Sequence, residues 1–146
     1  MRRLHLSKDK IKLLNLIHEK ILLENDYHFN FYIAVNEIIS GNDSIRKNEV
    51  VGVSSRLKNT FFVFSNEIEE SLSIVFENVK RMENILDQIY YLFYSISQYI
   101  HPFSDGNGRT CRLLASFYLK KIGIDTCISK VEKLISHEDF FKKIKS

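Results

Sequence analysis

The fold of this chain is decided by twelve residues, His101-Pro-Phe-Ser-Asp-Gly-Asn-Gly-Arg-Thr-Cys-Arg112. This stretch holds the one proline of the chain and two of its five glycines. Apolar residues recur at helical spacing on both sides of it, from Ile85 to Ile100 and from Arg109 to Ile122. The pattern predicts two helices joined by a short loop, within an all-α domain.

The loop residues Gly106, Asn107 and Gly108 open the second of these helices. Backbone N–H groups in the first turn of a helix lack internal partners, and the helix dipole favours an anion there. Glycine lets a phosphate approach without meeting a Cβ atom. Arg109 and Arg112 lie three apart, so they share a helix face, and guanidinium groups suit phosphate oxygens. These five residues therefore predict a phosphate site.

Two further residues of the stretch carry chemistry. Asp105 precedes the glycines, and a carboxylate beside bound phosphates indicates a Mg²⁺ site. His101 has an ordinary pKa of about 6.5, which suits a general base at neutral pH. Each feature alone is commonly a turn, a helix end or a solvated surface. Their combination at this spacing predicts phosphoryl or nucleotidyl transfer.

The stretch resembles the signature of the Fic family, His-x-Phe-x-(Asp/Glu)-Gly-Asn-Gly-Arg-x-x-Arg, and every fixed position is filled. Fic proteins are all-helical, and most characterised members transfer AMP from ATP to a hydroxyl side chain of a target protein. The resemblance implies one compact all-α domain over residues 1–146, with a short β-like flap before the catalytic helix-loop-helix. The similarity covers residues 28–122.

The resemblance also implies a role for each motif residue. His101 would deprotonate a Ser, Thr or Tyr hydroxyl of the target, Phe103 would anchor the loop in the core, and Asp105 would hold Mg²⁺. The remaining fixed residues would bind the phosphates of ATP, the outer two of which leave as pyrophosphate: Gly106, Asn107, Gly108, Arg109 and Arg112.

A weaker similarity lies upstream of the motif. Residues 41–53, which contain Ser44-Ile-Arg46, resemble the loop that family members place before a target-docking flap, and residues 59–65 would be that flap. Five of its residues favour extended structure: Thr60, Phe61, Phe62, Val63 and Phe64. A flap could clamp a target through main-chain hydrogen bonds. A buried extended loop fits the same residues equally well.

The family resemblance leaves the transferred group open. Doc-like kinases of the same superfamily carry lysine at the position of Gly108, so the glycine favours AMP transfer over phosphorylation. The alternatives are transfer of phosphate, UMP or phosphocholine, and a nucleotide-binding regulatory module without turnover. The intact His101 and Asp105 favour turnover.

Many Fic proteins are inhibited by a helix with the pattern (Ser/Thr)-x-x-x-Glu-(Gly/Asn), whose glutamate pairs with the last motif arginine, here Arg112. The segment Ser73 to Asn78 matches, but on a core helix of the family, which indicates coincidence. Lys20 to Asn25 places Glu24 suitably but has lysine where the pattern needs Ser or Thr. We therefore expect inhibition by a separate small antitoxin. The alternative is inhibition within the chain, with Glu24 as the inhibitory glutamate.

Length and composition narrow the remaining function classes. The 146 residues are 45% hydrophobic, enough for a core without metals or disulfides, and the net charge of +3 argues against a nucleic-acid partner. Cys111 and Cys127 form no metal pattern. No stretch has the length of a membrane span, and no signal peptide is evident. We expect a cytoplasmic protein.

The rest of the chain is also predicted to be helical. Ser7 would cap a first helix, and a second would run from His28 to Ser40 and stop at Gly41. Asn66 would cap a third helix, and a last helix would span residues 129–141.

Overall fold

The computed structural model describes residues 6–42, 44–50 and 62–125, and these contain helices and no strand. The five α-helices are α1 (Lys8–Leu23), α2 (Phe29–Ser40), α3 (Ile68–Lys80), α4 (Ile85–Tyr94) and α5 (Asn107–Lys121). A 3₁₀ turn, Ser65–Glu67, leads into α3, and a π-helix, Ser95–Ile100, follows α4. Cys127 and the helix predicted over 129–141 lie outside the described residues. In the described ranges, no helix combines the length and apolar character that crossing a membrane requires.

The predicted helix ends are mostly confirmed. Ser7 caps α1, because its hydroxyl accepts a hydrogen bond from the N–H of Lys10 at 3.3 Å. Helix α2 ends at Gly41, whose left-handed backbone (φ 78°) favours glycine. The cap predicted for Asn66 is wrong. The chain enters α3 through the 3₁₀ turn, and Glu67 precedes the helix without a side-chain cap.

Helix α5 lies at the centre of the described core. It contacts α1, α2, α4 and the π-helix, and its Leu114 and Leu119 are fully buried. Burying such a side chain contributes about 1.5–3 kcal/mol. The helix that begins inside the signature motif is therefore held by packing along most of its length.

Helices α1 and α5 run in the same direction. The ring of His18 stacks on Phe117 with centroids 4.6 Å apart, and the Nζ of Lys121 donates to the carbonyl oxygen of Ile21 at 3.1 Å. Later residues of one helix thus meet later residues of the other. The carboxyl ends of both helices lie together, at the opposite end of α5 from the signature motif.

The single helix predicted over Ile85–Ile100 changes its winding before it ends. Beyond Tyr94 the chain forms the π-helix, and the N–H of His101 donates to the carbonyl of Ile96, five residues earlier, at 2.8 Å. The Ser97 hydroxyl donates to the carbonyl of Phe93 at 2.6 Å. Short π-helical segments are rare in proteins, and those that occur are often found at functional sites. This one ends directly at the first motif residue.

Candidate active site

Arg46 holds the first part of the motif loop. Its side chain is buried, and its Nε donates to the carbonyl of His101 at 2.6 Å while its Nη2 donates to that of Ile100 at 3.0 Å. Its backbone N–H donates to the carbonyl of Pro102 at 2.7 Å. Carbonyls at the end of a helix lack internal partners. Arg46 therefore satisfies the carbonyls at the end of the π-helix and fixes its exit.

Asn107 holds the middle of the loop. Its Nδ2 donates to the carbonyl of Phe103 at 2.7 Å, and its Oδ1 accepts from the N–H of the same residue at 2.9 Å. Phe103 is fully buried and stacks on Phe29, with centroids 5.8 Å apart. Because the Asn107 side chain is turned into the protein, only its backbone N–H remains available for the predicted phosphate contact.

Helix α2 holds the end of the loop. The Nδ2 of Asn36, a fully buried side chain, donates to the carbonyl of Asp105 at 2.9 Å. Gly106, the next residue, has a left-handed backbone (φ 77°), and a Cβ atom there would lie 1.9 Å from the Oγ of Ser40. Both its conformation and its neighbours therefore require glycine at this position.

The amino-terminal end of α5 is open. Gly106 precedes the helix, and no side chain of the residues that the structure describes caps it. The first hydrogen bond of the helix runs from the N–H of Thr110 to the carbonyl of Gly106 at 2.9 Å. The N–H groups of Asn107, Gly108 and Arg109 therefore have no partner within the helix, which is the arrangement that binds phosphates at helix termini.

Both motif arginines lie near this end of the helix. The Nη2 of Arg109 is 3.7 Å from the Asp105 carboxylate. The guanidinium of Arg112 lies across Gly108, since a Cβ atom on that glycine would be 2.9 Å from the Nη1 of Arg112. The structure thus brings Asp105, both arginines and the open helix terminus together.

The Asp105 carboxylate fits a metal shared with a nucleotide. Its side chain is 74% exposed, and its Oδ1 accepts from the N–H of Gly106 at 2.8 Å. Magnesium takes one or two carboxylates and completes its shell with phosphate oxygens and water. No three His, Cys, Asp or Glu side chains in the described part of the chain form a metal cluster. A Mg²⁺ ion would therefore depend on ligands from the nucleotide.

The imidazole of His101 is oriented as a base. Its Nδ1 lies 2.9 Å from the carbonyl oxygen of Ser97. A carbonyl only accepts, so the neutral ring carries its proton on Nδ1 and its free lone pair on Nε2. Burial lowers the pKa of His101 below 6.5; the hydrogen bond to Ser97 opposes this shift, and the positive charge of Arg46 adds to it. The ring is therefore neutral at pH 7.

Four residues of the predicted flap, 62–65, are described, and they form no strand. Phe62 is buried and stacks on the His101 imidazole, with centroids 3.9 Å apart and an angle of 11° between the rings. Val63 is half-buried, whereas Phe64 is 62% exposed. The buried extended loop describes Phe62 better than a target-facing arm. Thr60 and Phe61 lie outside the described residues, and target docking by this segment stays a prediction.

Glu24 lies at the other end of α5. Its backbone carbonyl accepts from the Nζ of Lys121, and its carboxylate is 3.5 Å from the Nε2 of His28. Lys121 follows Arg112 by nine residues, which is about 13 Å along a helix. A cavity of about 520 Å³, lined in part by Glu24 and Tyr118, lies at this end and not at the motif. The structure does not bring Glu24 to Arg112.

Two residues that hold the loop were missed as site residues from the sequence. Asn36 is the polar residue on a buried face of α2 that includes Tyr32 and Val35, and this exception to the apolar pattern was the available indication. Arg46 stands in a polar segment without periodicity. This segment resembles the family loop, but nothing local indicates that the Arg46 side chain is buried.

Comparisons with known proteins agree with this geometry. The Fic/DOC family profile matches residues 10–119. A solved structure of a Fic domain-containing signaling protein from Bacteroides thetaiotaomicron is similar in fold, with a TM-score of 0.61 and 20% identity over 86% of this chain and 54% of that one. This chain thus spans about half the length of that protein. No protein of curated function matches it. Since the family match extends over most of the chain and includes the complete motif, the protein belongs to the Fic/DOC family.

Proposed function

We propose that this protein transfers AMP from ATP to a Ser, Thr or Tyr hydroxyl of a target protein and releases pyrophosphate. The observation that carries the proposal is the 2.9 Å contact between the Nδ1 of His101 and the carbonyl of Ser97. It leaves the Nε2 of His101 as the proton acceptor, on the loop that leads into the open end of α5. Transfer of a nucleotidyl group with general-base catalysis needs a base and an anion site held in fixed relative positions.

In this reaction the target hydroxyl oxygen attacks the α-phosphorus of ATP. The hydroxyl proton passes to the Nε2 of His101 as the new oxygen–phosphorus bond forms. The bond between the α-phosphorus and the oxygen that bridges to the β-phosphate breaks, and pyrophosphate leaves with that oxygen. Arg109 and Arg112, near the open end of α5, would bind the negative charge of the leaving group.

Asp105 is the residue that would hold Mg²⁺ together with the phosphates of ATP, because its carboxylate is exposed beside the open helix end. When bound, the ion would neutralise part of the phosphate charge. The backbone N–H groups of Asn107, Gly108 and Arg109 would orient the phosphates from the other side.

Labelled ATP tests the proposal. We expect label from α-³²P-ATP, but not from γ-³²P-ATP, on protein after the purified chain is incubated with magnesium and cell lysate, and an AMP adduct by mass spectrometry. His101→Ala should lower transfer by about 10²- to 10⁴-fold. His28→Ala is the matched control, because the His28 side chain is exposed and pairs with Glu24 rather than with a motif residue. Transfer of the γ label would indicate a kinase, and ATP binding without any transfer would indicate a regulatory module.

We further propose that the protein acts in the cytoplasm as a toxin restrained by a separate small antitoxin. The position of Glu24 at the carboxyl end of α5, about 13 Å along the helix from Arg112, supports inhibition by a second chain. Expression of the chain alone should slow growth of the host cell, and His101→Ala should remove this effect. Equal growth with both forms would contradict the toxin role.

A further inference from the structure

We propose that Arg46 is a positioning residue for the His101 base, through contacts that fix both the peptide and the ring of the histidine. The inference deepens the proposed function, on which only its kinetic test rests. Arg46 acts through the residues to which it donates, one of which, Val63, belongs to the predicted flap.

The guanidinium of Arg46 joins three separate segments. Its Nη1 donates to the carbonyl of Asn48 at 2.8 Å, and its Nη2 donates to those of Val63 at 2.6 Å and Ile100 at 3.0 Å. Its Nε donates to the carbonyl of His101 at 2.6 Å. Four carbonyls therefore share one planar group with fixed donor directions. A lysine ammonium has three donors on a single atom and cannot reproduce this geometry.

The contact with Val63 fixes the ring of His101 as well as its peptide. Val63 directly follows Phe62, whose ring lies 3.9 Å from the imidazole and nearly parallel to it. The lone pair of Nε2 lies in the plane of the imidazole, so a ring stacked on the face leaves it accessible. Phe62 thus restricts rotation of the imidazole while the base stays open.

The backbone of His101 needs such support. Its φ of 52° is left-handed, and in the described part of the chain it is the one residue other than glycine with a positive φ. Residues with a Cβ atom rarely adopt this conformation, and they keep it when their surroundings determine it. Arg46 contacts the carbonyls of residues 100, 101 and 102, which are the peptides around this bend.

Arg46 also supplies a charge that acts on the imidazole. In the described structure, the π-helix contributes the uncharged Ser97 carbonyl to the ring, residues 62–64 contribute the uncharged Phe62 ring, and the charge that acts on it is that of Arg46. A nearby positive charge disfavours the imidazolium. The same side chain therefore places the ring and favours its neutral form.

The test compares Arg46→Lys and Phe62→Leu with two controls on exposed residues outside the predicted site, Arg81→Lys and Ile74→Leu. The first readout is the ¹⁵N and ¹H NMR titration of the His101 imidazole, identified by its loss in His101→Ala. We expect the wild type to show a proton on Nδ1 and a midpoint below pH 6.5. In the two test variants the midpoint should move toward 6.5 and the preference for Nδ1 should weaken, while both controls match the wild type.

The second readout is transfer of AMP at saturating target. Misplacement of a reacting group by about 1 Å can cost on the order of 10²-fold, so Arg46→Lys should lower kcat by about this factor with little change in the KM for ATP. The acidic limb of the rate profile should shift with the NMR midpoint. If Arg46→Lys does not fold, Arg46→Gln takes its place, because its shorter, uncharged amide keeps two N–H donors but cannot reach all four carbonyls. Phe62→Leu leaves every Arg46 contact in place, so it tests the ring contact with His101 alone.

Two results would overturn the proposal. One is an unchanged His101 midpoint and tautomer in both folded test variants, and the other is loss of melting temperature alone with normal kcat. Failure of the proposed function is distinguishable from either. If the wild type transfers no AMP but the variants show the expected NMR changes, the proposed AMP transfer is wrong. The positioning role of Arg46 is then still supported.

Discussion

The side chain of Asn107 and the peptide of Phe103 form two reciprocal hydrogen bonds, of 2.7 and 2.9 Å. The side-chain amide therefore donates one hydrogen bond to the Phe103 peptide and accepts one from it, as a paired backbone segment would. These two bonds close residues 103–107 into a rigid ring. Phe103 anchors that ring in the core, where it is fully buried. Asn107 stands between two glycines of the motif, and it thus holds the loop with its side chain and leaves its backbone N–H for the proposed anion site.

Asn107→Asp should destabilise the protein. The substitution removes the donor to the Phe103 carbonyl, and a buried acceptor without a partner costs about 1–3 kcal/mol. Urea unfolding at pH 7 measures the loss. Asn30→Asp, on the exposed face of α2, is the control and should stay within about 0.5 kcal/mol of the wild type. Equal stability of the two variants would show that the reciprocal bonds contribute nothing.

Gly108→Ala should weaken ATP binding without loss of stability. The added Cβ would lie 2.9 Å from the Nη1 of Arg112, so the flexible guanidinium must move. Loss of one charged hydrogen bond to phosphate costs about 1.5–3 kcal/mol, which corresponds to tenfold weaker binding or more. Titration calorimetry with magnesium-ATP measures this change. Gly41→Ala is the converse control: it strains a left-handed residue outside the motif and should lower stability while binding stays normal.

The stability of the protein should fall in acid, in part because of His18. Burial lowers its pKa, as does the charge of Lys120, while Glu19 opposes the shift. Because the folded pKa lies below the unfolded value of about 6.5, this contribution is fully present above pH 6.5 and is lost as the pH falls through the folded pKa. His18→Phe keeps the stack on Phe117 and removes the titrating group, whose buried Nε2 has no hydrogen-bond partner among the described residues.

Melting temperatures from pH 7.5 to 5.0 check this prediction. The decrease should be smaller in His18→Phe than in the wild type, while His28→Gln should follow the wild type because His28 is exposed. A decrease of the same size in all three proteins would exclude His18 as a source of the acid sensitivity.

Glu24→Gly should leave automodification unchanged. Glu24 lies beside His28 and Lys121 at the carboxyl end of α5, so removing its carboxylate should not alter the region of Arg112. Incorporation of α-³²P into the purified chain measures this. Glu77→Gly is the control for the other match to the inhibitory pattern. It should also leave automodification unchanged, because Glu77 is exposed and pairs with Lys80 on α3. A large rise for Glu24→Gly alone would make Glu24 an internal lock and reject the two-chain arrangement.

Periodicity was sufficient to predict the described helices but not their winding. The apolar residues Ile96 and Ile100 are four apart, a spacing that an α-helix and a short π-helix accommodate equally. The π-helix is distinguished from an α-helix by the hydrogen bond from the N–H of His101 to the carbonyl of Ile96. That bond depends on the direction in which the motif loop continues from the end of the helix. A local pattern carries no information about that exit.

The motif predicted which residues gather at the end of α5, but not which of their atoms face the site. Asn107 was expected to bind the nucleotide, and the structure leaves only its backbone for that role. Phe62 was predicted to lie either on a target-docking flap or in a buried extended loop, and its ring lies on His101. Both outcomes depend on packing between segments that are distant in sequence, which spacing along one segment cannot report.

The buried guanidinium of Arg46 has a consequence for how the protein folds. Its partners include Val63, 17 residues away, and Ile100 and His101, 54 and 55 residues away. Contacts of such long range form after the entropy of closing the intervening chain has been overcome, and they slow folding relative to local helix formation. The helices can form early, but the His101 imidazole acquires its orientation only when these three segments have met. If His101 is the base, as proposed, a nascent or partly folded chain would therefore be helical and yet inactive.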